Sequence, residues 1–197
     1  MWFQRLYVGV TWRMDKHRKA VYLTFDDGPI PEVTPQVLAV LEQYGVKATF
    51  FMVGENAVKH PDVYRQVVEA GHSIGNHTYN HINGLRFSTR TYMENIAKAE
   101  AVLGQTHLFR PPYGRFWIWQ KMAVFHAGYR MYLWDVLTHD YNPNYTPEHM
   151  LSIIQRYTRN GSIINFHDSI KSNERMLAVL PKAIEWLQQE GYEILPL

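Results

Sequence analysis

The sequence lacks cysteine altogether, and this absence removes several kinds of chemistry at once. Without a thiol the chain can form no disulfide, no thiolate metal site and no cysteine nucleophile. The chain also lacks a basic run or an acidic tail, and its formal net charge is only +2. Nucleic-acid binding therefore has no electrostatic support, and we expect no nucleic-acid partner.

Long apolar segments are also missing. The apolar run over residues 6–12 is interrupted by Gly9 and Thr11 and is too short to cross a bilayer. No small-residue cleavage site of a signal peptide follows it. We therefore expect residues 1–20 to form an N-terminal segment that packs on the domain, with a degenerate membrane-targeting segment as the alternative. The expected location is cytoplasmic, and an extracytoplasmic or membrane-associated location stays open.

What the chain does contain is enough for one domain, residues 21–197, in which strand-like and helix-like segments alternate. Such alternation predicts a parallel α/β sheet. A complete eight-stranded barrel typically needs about 250 residues, so we expect a distorted, incomplete barrel of about seven parallel strands. An open doubly wound sheet is the alternative, but no glycine-rich phosphate loop follows the first strand. Strands are predicted at residues 21–27, 48–53, 73–76, 107–110, 129–134, 162–167 and 192–195.

Ionisable side chains follow several of these strands. Asp26 and Asp27 end the first strand, and His77 and His81 follow the third with the spacing of one helical turn. Aspartate is common in turns, and histidine pairs at this spacing also arise by chance. Because the carboxyl ends of parallel strands meet at one rim, however, these residues could bind one metal ion.

Further groups belong to the same rim. The stretch R-P-P-Y-G, residues 110–114, follows the fourth strand, and its two prolines would hold Arg110 rigidly enough to bind a carboxylate. His167 ends the sixth strand, and Asp140 lies a few residues beyond the fifth. His72 lies at a helix-to-strand junction, where we expect a structural role, and the role of His139 stays undecided.

Three ordered motifs resemble those of the NodB-like polysaccharide deacetylases: T-F-D-D-G-P at residues 24–29, H-T-Y-N-H at 77–81 and R-P-P-Y-G at 110–114. The resemblance runs from about residue 21 to the C-terminus. It implies the distorted barrel and a metal-dependent hydrolase that removes N-acetyl groups from an amino sugar or glycan of the peptidoglycan or chitin type. The implied metal is zinc, although imidazole ligands also suit cobalt, nickel and iron.

The resemblance also implies a role for each matching residue. The metal ligands would be Asp27, His77 and His81, and the general base that activates water would be Asp26. Arg110 would orient the base, the Tyr113 main-chain N–H would contact the oxyanion of the intermediate, and His167 would be the general acid.

Two later motifs depart from the family pattern. Leu137 aligns with the aspartate that normally pairs with the acid histidine, so we expect a lowered pKa for His167. Either Asp135 or Asp168 could compensate. Tyr141 replaces a tryptophan and Asn165 a leucine that encloses the acetyl methyl group, and we expect both, with Tyr113, to contact the substrate.

These departures keep two other functions open. A related amidohydrolase could act on a small amide or a cyclic imide, because the altered positions belong to the acyl pocket. A non-catalytic glycan-binding protein is the other alternative, although binding alone does not need a base beside a metal. The sugar, the polymer length, the native metal and the oligomeric state stay open.

Overall fold

One parallel sheet forms the centre of residues 8–197, the part of the chain that the computed structural model describes. All pairs of neighbouring strands in this sheet run parallel. The strands are β1 (Ala20–Asp26), β2 (Thr49–Met52), β3 (Ser73–Asn76), β4 (Leu108–Phe109), β5 (Arg130–Met131), β6 (Val136–Leu137), β7 (Ile163–His167) and β8 (Glu193–Leu195).

The strand order is β5-β4-β3-β2-β1-β7-β6, and β8 pairs with the first residues of β1. Within the described residues no strand pairing joins β5 to β6, so the barrel is open there. The predicted incomplete parallel barrel is therefore confirmed. The predicted strand at residues 129–134 is shorter in the structure, and the two-residue strand β6 was not predicted.

Seven α-helices connect the strands in this part of the chain. Two of them begin with a capping side chain, since Ser88 and Thr146 each accept a hydrogen bond from the main-chain N–H three residues on. The last helix runs unbroken through Pro181. The helices are α1 (Thr34–Gln43), α2 (Gly54–Lys59), α3 (Pro61–Glu69), α4 (Thr89–Leu103), α5 (Ile118–His126), α6 (Pro147–Tyr157) and α7 (Asn173–Gln189).

Residues of β1 alternate between the packed core and the interior of the half-barrel. Phe25 stacks on Phe50 and Phe166, with ring centroids 5.0 and 5.7 Å apart, and all three rings are fully buried. Asp26 therefore points to the opposite side of the sheet. It lies in register with His167 of β7, so the parallel pairing places these two polar side chains beside each other.

The N-terminal segment is described from residue 8 onward, and residues 1–7 lie outside the described part. Thr11 pairs with the chain beside β5, donating to Met131 and accepting from Leu133. Lys121 Nζ of α5 donates to the Val8 carbonyl (2.9 Å). The segment over residues 8–11 thus lies against the open edge of the barrel. Among the described residues, no helix combines the length and apolar character needed to span a membrane.

Candidate active site

Three of the predicted site residues converge beyond the ends of β1 and β3. Asp27 Oδ1 lies 3.2 Å from His81 Nε2 and 3.8 Å from His77 Nε2. The ligand atoms of these residues all lie within 4.8 Å of one another, close enough to share one ion. A carboxylate and two imidazoles suit zinc and leave a coordination position for water. The residues therefore fit the metal that the sequence resemblance implies.

His77 is oriented and kept neutral by its surroundings. Its Nδ1 lies 2.7 Å from the main-chain oxygen of Arg110, which leaves Nε2 facing Asp27. Burial lowers the pKa of His77 to about 4, although the carboxylates of Asp26 and Asp27 act in the opposite direction. The ring is thus uncharged at neutral pH, and an uncharged imidazole is the form that binds a metal.

Several residues around the site have main-chain angles in the left-handed region. Thr78, with φ 65°, is the most unusual because β-branched side chains rarely adopt this conformation. Strained conformations of this kind cluster at functional sites. At Asp27, φ is 85°, so the main chain turns directly after β1 and adjacent carboxylates face different partners. Among the described residues other than glycine, positive φ also occurs at His81, Tyr113 and His139.

The carboxylate of Asp26 is buried and held on both oxygens. Arg110 Nη1 donates to Asp26 Oδ1 (2.7 Å), and Asn165 Nδ2 donates to Oδ2 (3.1 Å). Arg110 itself is fully buried, with its guanidinium 4.1 Å from the centre of the Phe51 ring and Nη2 donating to the Leu133 carbonyl (3.0 Å). The Asp26 carboxylate therefore has a fixed orientation, which a general base requires.

Asn165 occupies a different place from the one expected. Its side chain is fully buried and contributes nothing to the wall of the cleft. Its Oδ1 accepts from Arg110 Nη1 and from the Thr24 hydroxyl, while its amide donates to Asp26. The expectation that Asn165 contacts the substrate therefore has no support from its position. Leu137, its neighbour across the β6–β7 pair, lines the cleft.

His167 has a carboxylate partner, so the prediction that Leu137 leaves it unpaired is wrong. His167 Nδ1 lies 2.7 Å from Asp140 Oδ1, and the His167 main-chain N–H donates to Asp140 Oδ2 (2.7 Å). Burial by itself lowers the pKa of His167, but attraction and hydrogen bonding by Asp140, with smaller contributions from Asp26 and Asp27, raise it to about 9. The expected lowered pKa is therefore also wrong, because Asp140 is fully buried against the ring.

Neither of the two aspartates considered as substitutes hydrogen-bonds the His167 ring. Asp135 accepts two hydrogen bonds from Arg159, at 2.9 and 2.7 Å. Asp168 accepts from the Gly28 main-chain N–H (3.0 Å) and the Thr34 hydroxyl (2.6 Å), and burial raises its pKa to about 8. The site of Asp168 leaves no room for a side chain at Gly28, where a Cβ atom would lie 2.0 Å from Asp168 Oδ2.

Two tyrosines flank the metal and acid positions at the mouth of the site. The Tyr113 ring lies edge-on to His81, with centroids 4.6 Å apart, and 59% of the residue is exposed. The Tyr141 ring lies edge-on to His167 at 5.0 Å, and its hydroxyl is 3.3 Å from His139 Nδ1. Both line a cleft of about 1110 Å³ that also contains Asp26, Asp27, His77, His81 and His167.

Sequence reasoning missed the role of Asp140 although it noted the residue. The signal was present in the pair Asp140-Tyr141, an aspartate followed by an aromatic residue, which matches the Asp-Trp pair of the family pattern. The role of partner to His167 was assigned instead to the position of Leu137, three residues before Asp140. His72, by contrast, has the predicted structural role: it accepts a hydrogen bond from the Ala48 main chain (3.2 Å) and packs on Phe50.

Comparison with known proteins agrees with this geometry. The family model for polysaccharide deacetylase matches residues 13–131, more than half of the chain. The chain belongs to the polysaccharide deacetylase family. A peptidoglycan-N-acetylglucosamine deacetylase of Bacillus cereus is 35% identical over 93% of this chain and 88% of its own length. A chitooligosaccharide deacetylase of Azorhizobium caulinodans is 33% identical over 96% of this chain and 98% of its own length.

Solved structures of the family share the fold. The Bc1960 peptidoglycan N-acetylglucosamine deacetylase, crystallised with a naphthyl N-hydroxybenzamide, superposes with a TM-score of 0.93 at 31% identity. The superposition covers 100% of this chain and 93% of the other. The half-barrel is thus the fold of a polysaccharide deacetylase.

Proposed function

We propose that this polysaccharide deacetylase removes N-acetyl groups from amino sugars within a glycan, and that it uses zinc held by Asp27, His77 and His81. The observation that carries the proposal is the register of β1 with β7, which sets Asp26 opposite His167 beside the three ligand side chains. A base and an acid on either side of a metal position are what hydrolysis of an amide requires.

When bound, the metal would polarise the acetyl carbonyl and lower the pKa of a water molecule, which this chain's side chains cannot do alone. Asp26 accepts the proton of that water as the new carbon–oxygen bond forms. Arg110 and Asn165 hold the Asp26 carboxylate in place through one hydrogen bond to each oxygen. The Asn165 side chain thus helps to orient the base, Asp26.

The second half of the reaction breaks the carbon–nitrogen bond. An amine leaves poorly unless its nitrogen is protonated, and we assign that proton to His167 Nε2. Because the pKa of His167 is raised to about 9, the ring carries the proton at neutral pH. Asp140 holds Nδ1, so the other nitrogen is directed to the substrate. Acetate and a free amine on the sugar are the products.

The tetrahedral intermediate carries an oxyanion that needs a hydrogen-bond donor. We assign this role to the Tyr113 main-chain N–H, which has no hydrogen-bond partner within the described residues. The left-handed conformation of Tyr113, with φ 60°, sets the direction of this peptide. One donor of this type typically contributes about 3 kcal/mol to catalysis.

The test measures acetate release by the metal-loaded protein from N-acetylglucosamine oligomers and from a panel of small amides and cyclic imides. We expect release from the oligomers. Turnover of a small amide with none from any glycan would instead support the alternative amidohydrolase, and glycan binding without hydrolysis would support a non-catalytic protein. Of the altered positions behind the first alternative, Asn165 lies outside the cleft wall, whereas Leu137 and Tyr141 line it.

The identity of the metal and the cellular location of the protein are part of the same proposal. Cobalt, nickel or iron could replace zinc in this donor set, and metal analysis of the purified protein decides among them. A peptidoglycan-like substrate would be met outside the cytoplasmic membrane, so we propose extracytoplasmic action in place of the expected cytoplasmic location. Fractionation of cells that produce the full chain tests this.

A further inference from the structure

Three positively charged side chains line the cleft without an acidic partner. Arg86, Arg115 and Lys171 are exposed and contribute to the cleft wall. In the described part of the chain none of them forms an ion pair. Exposed cations elsewhere among the described residues are paired in some cases, such as Arg90 with Glu94 (2.9 Å), and unpaired in others, such as Lys182. What sets the cleft apart is that three unpaired cations line it together.

The acidic groups of the cleft do not cancel this charge. Asp26 and Asp27 are the only carboxylates that line it among the described residues. A divalent ion would balance both, so the cleft of the metal-bound protein keeps the charge of the three cations. The whole chain carries a formal net charge of only +2. Positive charge is thus concentrated where the substrate binds, and it attracts an anionic ligand.

Two of these cations lie on adjoining, well-held turns. The turn at Gly84 packs closely against the turn at Arg115. A Cβ atom added to Gly84 would lie 2.7 Å from the Arg115 carbonyl oxygen. The buried Gln120 side chain fastens the first turn by donating to the carbonyls of Gly84 (2.8 Å) and Phe87 (3.1 Å). Arg86 and Arg115 therefore project from fixed main chain. Lys171 follows the acid histidine, His167, by four residues.

We infer that this cleft selects an N-acetylated glycan whose sugars also carry carboxylate groups, in preference to a neutral chitin-type oligomer. The inference rests on the proposed function and adds the charge of the substrate to it. The aromatic side chains of Phe87, Trp134 and Tyr141 line the same cleft and offer apolar faces for sugar rings. Guanidinium groups beside them bind carboxylates in a two-point geometry.

The experiment compares matched substrates of equal length. One is a glycan of alternating N-acetylglucosamine and N-acetylmuramic acid with free carboxylates, the second is its methyl ester, and the third is a chitin oligomer. We expect KM for the free acid to be about fivefold lower than for the ester, since exposed ion pairs are individually weak. This advantage should shrink when NaCl is raised from about 0.02 M to about 0.5 M.

Arginine-to-glutamine variants test whether substrate preference depends on the positive charge of the cleft. The double variant Arg86→Gln/Arg115→Gln should raise KM for the free acid to that of the ester and leave KM for the chitin oligomer unchanged. Arg90→Gln, an exposed cation outside the cleft, is the matched control and should change none of the three values. Equal KM values for acid and ester in the unaltered protein would overturn the inference. So would an equal loss on all substrates in the double variant.

A failure of the proposed function would look different. If none of the glycans releases acetate, the deacetylase proposal fails while binding still tests the charge of the ligand. Calorimetric titration of the zinc-loaded protein with the free acid and with its ester provides that measurement. Tighter binding of the free acid, lost in Arg86→Gln/Arg115→Gln, would support the inference, and equal binding of acid and ester would contradict it.

Discussion

The metal-and-base half of the active site and its acid half are built in different ways. In the first half, Asp27, His77 and Arg110 each follow a strand directly, and the main chain of Arg110 holds His77. In the second half, His167 ends β7 but its partner Asp140 comes from the loop beyond β6. A residue directly after a strand is placed by that strand, so a short motif identifies it. A loop residue can reach the same place from a position that varies along the sequence. The first half is therefore readable from short motifs, and the second is not.

The largest expected effects separate the two adjacent aspartates within the first half. Asp27→Ala should abolish metal retention and activity together, because it removes one of the three ligands. Asp26→Asn should keep the metal and lower kcat by about 10³-fold, the range expected for loss of a general base. Metal analysis and acetate release on both variants measure this. Undiminished turnover by Asp26→Asn would refute the assigned base.

The next effect tests the acid half. Asp140→Asn should lower kcat by about tenfold to a hundredfold, since the partner of a catalytic imidazole sets its orientation and charge. It should also move the alkaline limb of the kcat/KM profile to lower pH. Asp140 raises the pKa of His167, and the protonated acid is lost as pH rises through that value, so a lower pKa brings the loss earlier. An unshifted limb would show that His167 is not the acid.

The same pair contributes to stability in a defined pH range. The pKa of His167 is raised from 6.5 to about 9 in the fold, so its contribution is complete below about 6.5 and is lost as pH rises through about 9. Thermal unfolding of the metal-free protein at several pH values should therefore show less difference between the unaltered chain and Asp140→Asn at high pH than at pH 6.

A smaller effect concerns the contact of Asn165 with the Asp26–Arg110 pair. Asn165→Leu should lower kcat by about tenfold with KM and metal content nearly unchanged, because Asp26 loses one donor and Arg110 one acceptor. It should also lower the melting temperature, since buried polar groups lose partners. A changed KM for N-acetyl against longer N-acyl substrates, with kcat intact, would restore the original expectation that Asn165 contacts the acyl group. Asn144→Leu, at an exposed loop position, is the control.

The fold and the first half of the site were predictable because both depend on local patterns. Alternating apolar segments predict parallel strands, and Asp27, His77 and His81 follow such strands within recognisable motifs. The short strand β6 was not predictable, since two residues show no periodicity. The contact between His167 and Asp140 depends on the path of the loop after β6, which alignment by residue counting cannot follow.

Asn165 shows a second reason why an expectation drawn from sequence can lack support from the structure. Its strand position was identified correctly, but which neighbour a side chain reaches depends on the strands beside it. Between β1 and β6 the amide lies next to Thr24 and Leu137, and a buried arginine, Arg110, fills the space in front of it. A polar side chain there joins the ionic network, where the leucine of the family pattern could not.

The smallest expected effect belongs to the rim of the acid half. Tyr141→Phe should change kcat and KM by less than about twofold, because it removes only a 3.3 Å contact with His139 and keeps the ring beside His167. Tyr141→Ala removes the ring as well and should raise KM several-fold. Steady-state kinetics on a glycan oligomer checks both. Equal losses in the two variants would assign the effect to the hydroxyl and contradict a role for the ring.

The most direct test of the central claim is a metal titration of the metal-free protein, followed by acetate release from an N-acetylglucosamine oligomer. The account predicts no release without metal, a linear rise that ends at a single equivalent of zinc, and no rise in Asp26→Asn although that variant binds the same amount. Full activity in the metal-free protein, or activation of Asp26→Asn to the level of the unaltered chain, would contradict it.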